Sequence, residues 1–167
     1  MTVTAPVARR RAARPGDGLL HPVALAALAV LIVNDQLLKA VWPGVVTGKL
    51  SDIAGLVVAP LVLQALWEIG QWIAGRWGSP MRSVLVVAII AVGLGFAAVQ
   101  VWDPASNAYE WALGVAQWPF RAFASVLAGA PPPSVTPVVA TADAEDLLVL
   151  PALAVTWWVG RRRIPEG

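Results

Sequence analysis

Eight polar residues stand out in a chain that is 58% hydrophobic and only 13% charged. Asn34, Asp35 and Lys39 close the first long apolar run. Thr47, Lys49 and Asp52 follow a Pro43-Gly44 turn, and Asp143 and Asp146 precede the last apolar run. Asp35 and Lys39 are four apart, hence on one helix face, where they can pair. Thr47-Gly48-Lys49 leads into a helix start at Ser51-Asp52, where backbone N–H groups and Lys49 offer an anion site. The four aspartates are the types that ligate a divalent ion or serve as acid–base groups. Two readings of the cluster stand side by side. It is a buried ion pair with helix caps, or it is a polar binding site.

Several chemistries are excluded. With no Cys there is neither a disulfide framework nor thiolate metal ligation. The one histidine, His21, stands before Pro22 at a helix start, far from the aspartates, so a histidine base is unavailable. No G-x-S-x-G elbow occurs. Gly44 to Gly48-Lys49 superficially suggests a phosphate-binding loop, but it is one residue short, Leu50 stands where Ser or Thr is needed, and no strand precedes it. No cofactor is expected. The net charge of +2 is small and the basic residues gather near helix ends, which argues against a nucleic-acid partner.

These residues are positioned by elements that read as membrane spans. A chain this apolar must bury most of its surface, since soluble domains carry roughly 25% charged residues. The expected fold is all-α: an integral membrane bundle of four transmembrane helices at about 19–41, 52–72, 83–102 and 143–160. The fourth is short. Residues 105–129 are apolar too, but Gln117, Pro119 and Arg121 sit at their middle, and an arginine at mid-bilayer costs about 2.5–3.5 kcal/mol. Trp111, Val115, Trp118, Ala122 and Val126 instead mark an interfacial helix, kinked or broken at Pro119. Pro131, Pro132 and Pro133 begin an extended linker over 130–137. On this reading 1–17 is a basic cytoplasmic tail, 18–160 a single transmembrane domain, and 161–167 a second tail. The arginine-rich start is not read as a cleaved signal, because the apolar run is too long and no small-x-small site follows.

Orientation follows from the basic residues. Arg9, Arg10, Arg11, Arg14, Arg76, Arg82, Arg161, Arg162 and Arg163 fall on one side; Lys39, Lys49 and Arg121 fall on the other. The positive-inside rule then puts both termini in the cytoplasm of a multi-pass protein of the bacterial cytoplasmic membrane. Asp35, Asp52, Asp103, Glu110, Asp143, Glu145 and Asp146 lie at the outer face. Trp42 and Trp102 mark that boundary, and Trp67, Trp72, Trp77, Trp157 and Trp158 the inner one. Asp35 lies about 24 Å along the first span, in the outer part of the hydrocarbon, where a charge normally faces a bundle interior or wet cavity. Glu68, beside the inner tryptophans, reads as solvated.

The segment from Asp52 through Leu56 to Pro60 can be set over Asp143 through Leu147 to Pro151, with Asp, Leu and Pro in register. Each follows a span ending in Val-Trp, so the chain reads as two parallel hairpin repeats. Ser51 or Asp52 would cap the second helix, and Thr141 or Asp143 the fourth. Gly55, Ala91, Gly93 and Gly95 would let helices approach closely.

The run Thr47-Gly48-Lys49-Leu50-Ser51-Asp52-Ile53-Ala54-Gly55-Leu56, with Asn34-Asp35 and Pro43-Gly44 before it, resembles a group of small bacterial multi-span membrane proteins of uncharacterised activity. Ser51-Asp52 and Asp143-Ala144-Glu145-Asp146-Leu147 give a weaker resemblance to the VanZ-like family of envelope membrane proteins. The Lys and His that follow the first pair in that family are replaced here by Ile53 and Leu56. The leading functional expectation is a non-enzymatic binding or permeation protein whose extracytoplasmic polar site takes a small ion, an anionic lipid head group or a small polar solute. The alternatives are an accessory subunit docking on a membrane protein partner, and a metal-dependent enzyme acting on envelope lipids.

Overall fold

The computed structural model describes residues 13–38, 41–42, 44–140 and 142–164, and among these every regular element is helical. A 3-10 turn, Asp17–Leu20, leads into α1, Pro22–Val33. His21 caps α1: its Nδ1 accepts the Val23 N–H at 3.2 Å, and Pro22 occupies the first turn, where its missing N–H costs nothing. The helix then widens into a π turn, Asn34–Leu38. α2 spans Val45–Ile73, α3 Arg82–Val101 and α4 Asp103–Leu127. A 3-10 stretch, Ala144–Ala152, runs directly into α5, Leu153–Arg161.

α1, α2, α3 and the 144–161 segment run alternately up and down against one another, with α2 central. Ala24, Leu61, Leu85 and Val159 contribute one residue from each to a buried core. Two glycines let these elements close up. A Cβ on Gly160 would meet the Leu85 methyl carbons at 2.6 and 2.7 Å, and one on Gly93 would meet Leu153 Cδ1 at 2.9 Å. Gly55 and Gly95, expected in the same role, have no such neighbour within 4 Å.

Pro60 interrupts α2 chemically but not geometrically. Lacking an N–H, it cannot donate to the Leu56 carbonyl one turn earlier. Thr156 of α5 supplies the missing donor, its hydroxyl lying 3.1 Å from the carbonyls of both Leu56 and Val57. This side-chain repair compensates for proline at a buried position inside the helix.

Three local expectations are corrected. α2 begins at Val45, not 52, so Ser51 and Asp52 lie inside it and Thr47 does the capping: Thr47 Oγ1 accepts the Gly44 N–H at 3.1 Å and donates toward the Gly44 carbonyl at 2.9 Å. The two Asp-Leu-Pro segments have different backbones, α-helical in one and 3-10 in the other. Their shared letters therefore do not make a structural repeat. α4 continues unbroken through Pro119. Of the four spans expected, two helices, α2 and α3, are long and apolar enough to cross a membrane; α1 is apolar but of only 12 residues.

The proline-rich linker folds back along α4. Trp118 Nε1 donates to the Pro133 carbonyl (2.7 Å), Arg121 to Thr136 Oγ1 (3.1 Å), and the Ala140 N–H to Glu110 Oε1 (2.9 Å). Gly114 permits this, because a Cβ there would collide with the Thr136 carbonyl. The linker thus occupies the polar stripe of α4. Tyr109, Trp111, Val115, Phe120, Phe123 and Leu127 are left exposed on the rest of its circumference.

Candidate functional site

The polar residues collect at the two ends of α2. At one end, α1 meets the start of α2 through Asn34, which is fully buried. Its Nδ2 donates to the Thr47 carbonyl and to Ser51 Oγ, each at 2.6 Å. The Ser51 hydroxyl in turn donates to Asp35 Oδ1 at 2.6 Å. The result is a directed chain, amide to hydroxyl to carboxylate, running from the buried interior to the exposed Asp35. Asn34 Oδ1 has no hydrogen-bond partner among the described residues. A buried amide acceptor without a partner costs about 1–3 kcal/mol, so it marks a place where the packing is not optimised for stability.

Beside this chain, Lys49 Nζ pairs with Asp146 Oδ1 at 2.7 Å, joining the first turns of α2 to the 3-10 stretch. Gln100, at the end of α3, approaches Asp146 Oδ2 at 3.4 Å and accepts the Asp143 N–H at 3.0 Å. The anion that Lys49 and the helix start were expected to hold is therefore the protein's own carboxylate. Asp143 spends its side chain on the Glu145 N–H at 2.8 Å, capping the 3-10 stretch. Asp52 follows Ser51 on α2 and is half-buried. Lys39, the expected partner of Asp35, lies outside the described residues, as does Thr141.

Of the eight residues singled out by sequence, the structure joins Asn34 directly with Thr47 and, through Ser51, with Asp35, and it joins Lys49 with Asp146. Gln100 was missed. Its only signal was a lone amide inside the apolar run that ends at Trp102. No group of three or more His, Asp or Glu side chains able to hold a metal ion occurs among the described residues.

At the other end of α2 the expectation for Glu68 is overturned. The residue is 1% exposed, not solvated. Oε1 accepts from Gln64 at 2.9 Å, Oε2 accepts the Gly16 N–H at 2.8 Å, and the Arg163 guanidinium lies 3.7 Å away. Arg163 also donates to the Arg14 carbonyl at 3.1 Å. Both terminal segments thus fold over one carboxylate. Gln64, four residues before Glu68 on the same face, was the available clue. Arg82 stacks over Trp157 and Arg162 over Trp158, at 5.0 and 3.8 Å from the ring centres. A hollow of about 250 Å³ opens beside Glu68, between Trp67, Arg76 and Trp77.

No family model, curated protein or solved structure matches the chain.

Proposed function

We propose that the chain is a multi-span protein of a bacterial cytoplasmic membrane, non-enzymatic, whose bundle presents a binding site at its extracytoplasmic end. The observation that carries the membrane assignment is α3. Its apolar window is only 17% buried within the molecule and lies far from the N-terminus. A core helix of a soluble protein would be mostly buried, and a signal sequence would come first. α3 needs an apolar solvent, and lipid supplies one.

The spacing of the polar clusters supports the same reading. Thr47 and Glu68 are about 31 Å apart along α2, close to the ~30 Å hydrocarbon thickness of a bilayer. The last segment matches too. Nine 3-10 residues at about 2.0 Å and nine α-helical residues at about 1.5 Å extend roughly 31 Å, so the 3-10 stretch gives a short segment the length to cross. α1 crosses together with its π turn. The arginines beside Trp157 and Trp158 put both tails in the cytoplasm by the positive-inside rule, and the Asn34–Asp146 end outside. α4 lies along the outer surface with its apolar arc in the interface.

The site is the outer cluster: Asn34, Asp35, Thr47 and Ser51 with the Lys49–Asp146 pair. A cysteine at Gly44 tests it, since the chain has no other and a Cβ at Gly44 meets nothing within 4 Å. In intact cells Gly44→Cys is expected to react with a membrane-impermeant maleimide. Reaction only after lysis would invert the topology, and no reaction under either condition would remove the accessible site. A second reading, an accessory subunit, draws on the exposed apolar arc of α4. Co-purification of a stoichiometric membrane partner, lost on Phe120→Ser/Phe123→Ser, would favour it.

A further inference from the structure

We infer that the hollow between the end of α2 and the start of α3 holds the phosphate head group of an anionic phospholipid, with Arg76 as its charged anchor. The inference rests on the membrane reading above, which sets this end of the bundle at the cytoplasmic interface, and it does not involve the outer cluster. The hollow, of about 250 Å³, is walled by the last turns of α2, the loop over 74–81 and the first turn of α3. Its shape follows from how α2 ends. Gly75 takes a left-handed φ of 67°; its N–H donates to the Trp72 carbonyl at 3.0 Å, and the Arg76 N–H donates to the Gln71 carbonyl at 2.8 Å. This pair of bonds is the helix terminator that glycine favours, and it turns the chain sharply. Arg76, Trp77 and Ser79 are thereby brought to the same hollow as Trp67, Glu68 and Gln71.

The balance of donors and acceptors selects the charge of the ligand. The one acid on the wall is spent: Glu68 accepts from Gln64 and from the Gly16 N–H, and Arg163 lies beside it. Arg76 has no such commitment. Its guanidinium makes no hydrogen bond or ion pair among the described residues, and the same holds for the side chains of Gln71 and Ser79 and the indole N–H groups of Trp67 and Trp77. A guanidinium fork matches two phosphate oxygens at once, and hydroxyl, amide and indole donors complete such a shell. The C-terminal end of α2 and the N-terminal end of α3 both border the hollow, so their opposed dipoles leave the choice of charge to the side chains. Size and surroundings favour a lipid over a soluble anion. Pockets for drug-sized molecules run to about 300–1,000 Å³; this one is smaller, so it takes a head group and leaves the acyl chains outside. Trp67 and Met81 are exposed at its rim, an apolar edge on which those chains can lie. A basic pocket between spanning helices on the cytoplasmic side is a recurring site for anionic head groups.

The experiment is thermal unfolding of the full chain in a neutral detergent, followed by its nine tryptophans, with phosphatidylglycerol, phosphatidylcholine or inorganic phosphate added. Phosphatidylglycerol is expected to raise Tm by roughly 3–5 °C for each tenfold increase above its dissociation constant, and phosphatidylcholine to leave it unchanged. Arg76→Gln, at an exposed loop position where the side chain has no protein partner to lose, is expected to fold with the shift abolished. Arg161→Gln, which removes an exposed arginine from the same end but outside the hollow, is expected to keep it. No shift with phosphatidylglycerol, or equal shifts with both lipids, overturns the inference. So does a shift lost equally in the two variants, which would be diffuse attraction, and so does a full shift with inorganic phosphate alone, which would make the ligand a soluble anion. The Tm readout does not depend on which way the chain faces, whereas Gly44→Cys labelling does, so the two can fail separately. Outside labelling without lipid selectivity sinks the head-group site and leaves the membrane reading standing; lipid selectivity with inside labelling keeps the site but moves it to the outer leaflet, which overturns its cytoplasmic placement.

Discussion

Thr156 and Pro60 illustrate how a single residue pair is read across two elements. The hydroxyl replaces the hydrogen bond that proline removes, so each residue makes sense only beside the other. Thr156→Val should lower stability by about 1–2 kcal/mol, because buried carbonyls lose their donor. In a Pro60→Ala background the restored N–H serves Leu56, and the same change should cost almost nothing. Equal costs in both backgrounds, measured by a double-mutant cycle, would show that the hydroxyl is not repairing the proline. Glu68 gives a second test. Removing the paired guanidinium by Arg163→Met leaves the buried carboxylate with its hydrogen bonds from Gln64 and Gly16 and should cost about 3 kcal/mol. Neutralising the acid as well, with Glu68→Gln/Arg163→Met, should recover part of that loss. A double variant less stable than Arg163→Met alone would contradict the ion-pair account.

At the scale of elements, the close packing of α5 on α3 depends on Gly160 beneath Leu85. Leu85 is itself fully buried, so its methyl groups have nowhere to go. Gly160→Ala should destabilise by about 1–3 kcal/mol through overpacking, while Gly95→Ala, with open space around it, should be near neutral. Comparable loss at both positions, read from denaturation midpoints, would remove the α3–α5 contact from the account. Element boundaries were only partly legible in sequence. The apolar runs locate α2 and α3 because hydropathy is a property of the run itself. The start of α2 at Val45 was not, because Val45-Val46-Thr47-Gly48 carries no strong helix signal and the cap is Thr47 reaching back to Gly44. The 3-10 form of 144–152 was hidden for a similar reason: the choice between 3-10 and α is made by packing on α2 and α3, not by the letters.

For the molecule as a whole, alternation of apolar runs with polar turns implies an up-and-down helical bundle, and the described residues form one. The grouping of the tails around Glu68 could not be read, since it requires Gly16 and Arg163, separated by almost the whole chain, to meet one side chain. For the polar cluster at the start of α2, Asn34, Asp35, Thr47, Lys49 and Asp146 were legible because polar residues are costly inside apolar runs. Two of the contacts were not: the Lys49–Asp146 pair and the Ser51 hydroxyl donating to Asp35. In the proposed bundle α3 faces lipid. Leu94, at its middle, is 68% exposed within the molecule. A nitroxide on Leu94→Cys in nanodiscs measures that environment directly by comparing collisions with oxygen and with a water-soluble nickel chelate. High oxygen and low nickel accessibility is the expected result; high nickel accessibility at Leu94 would put α3 in water and contradict the membrane-spanning bundle.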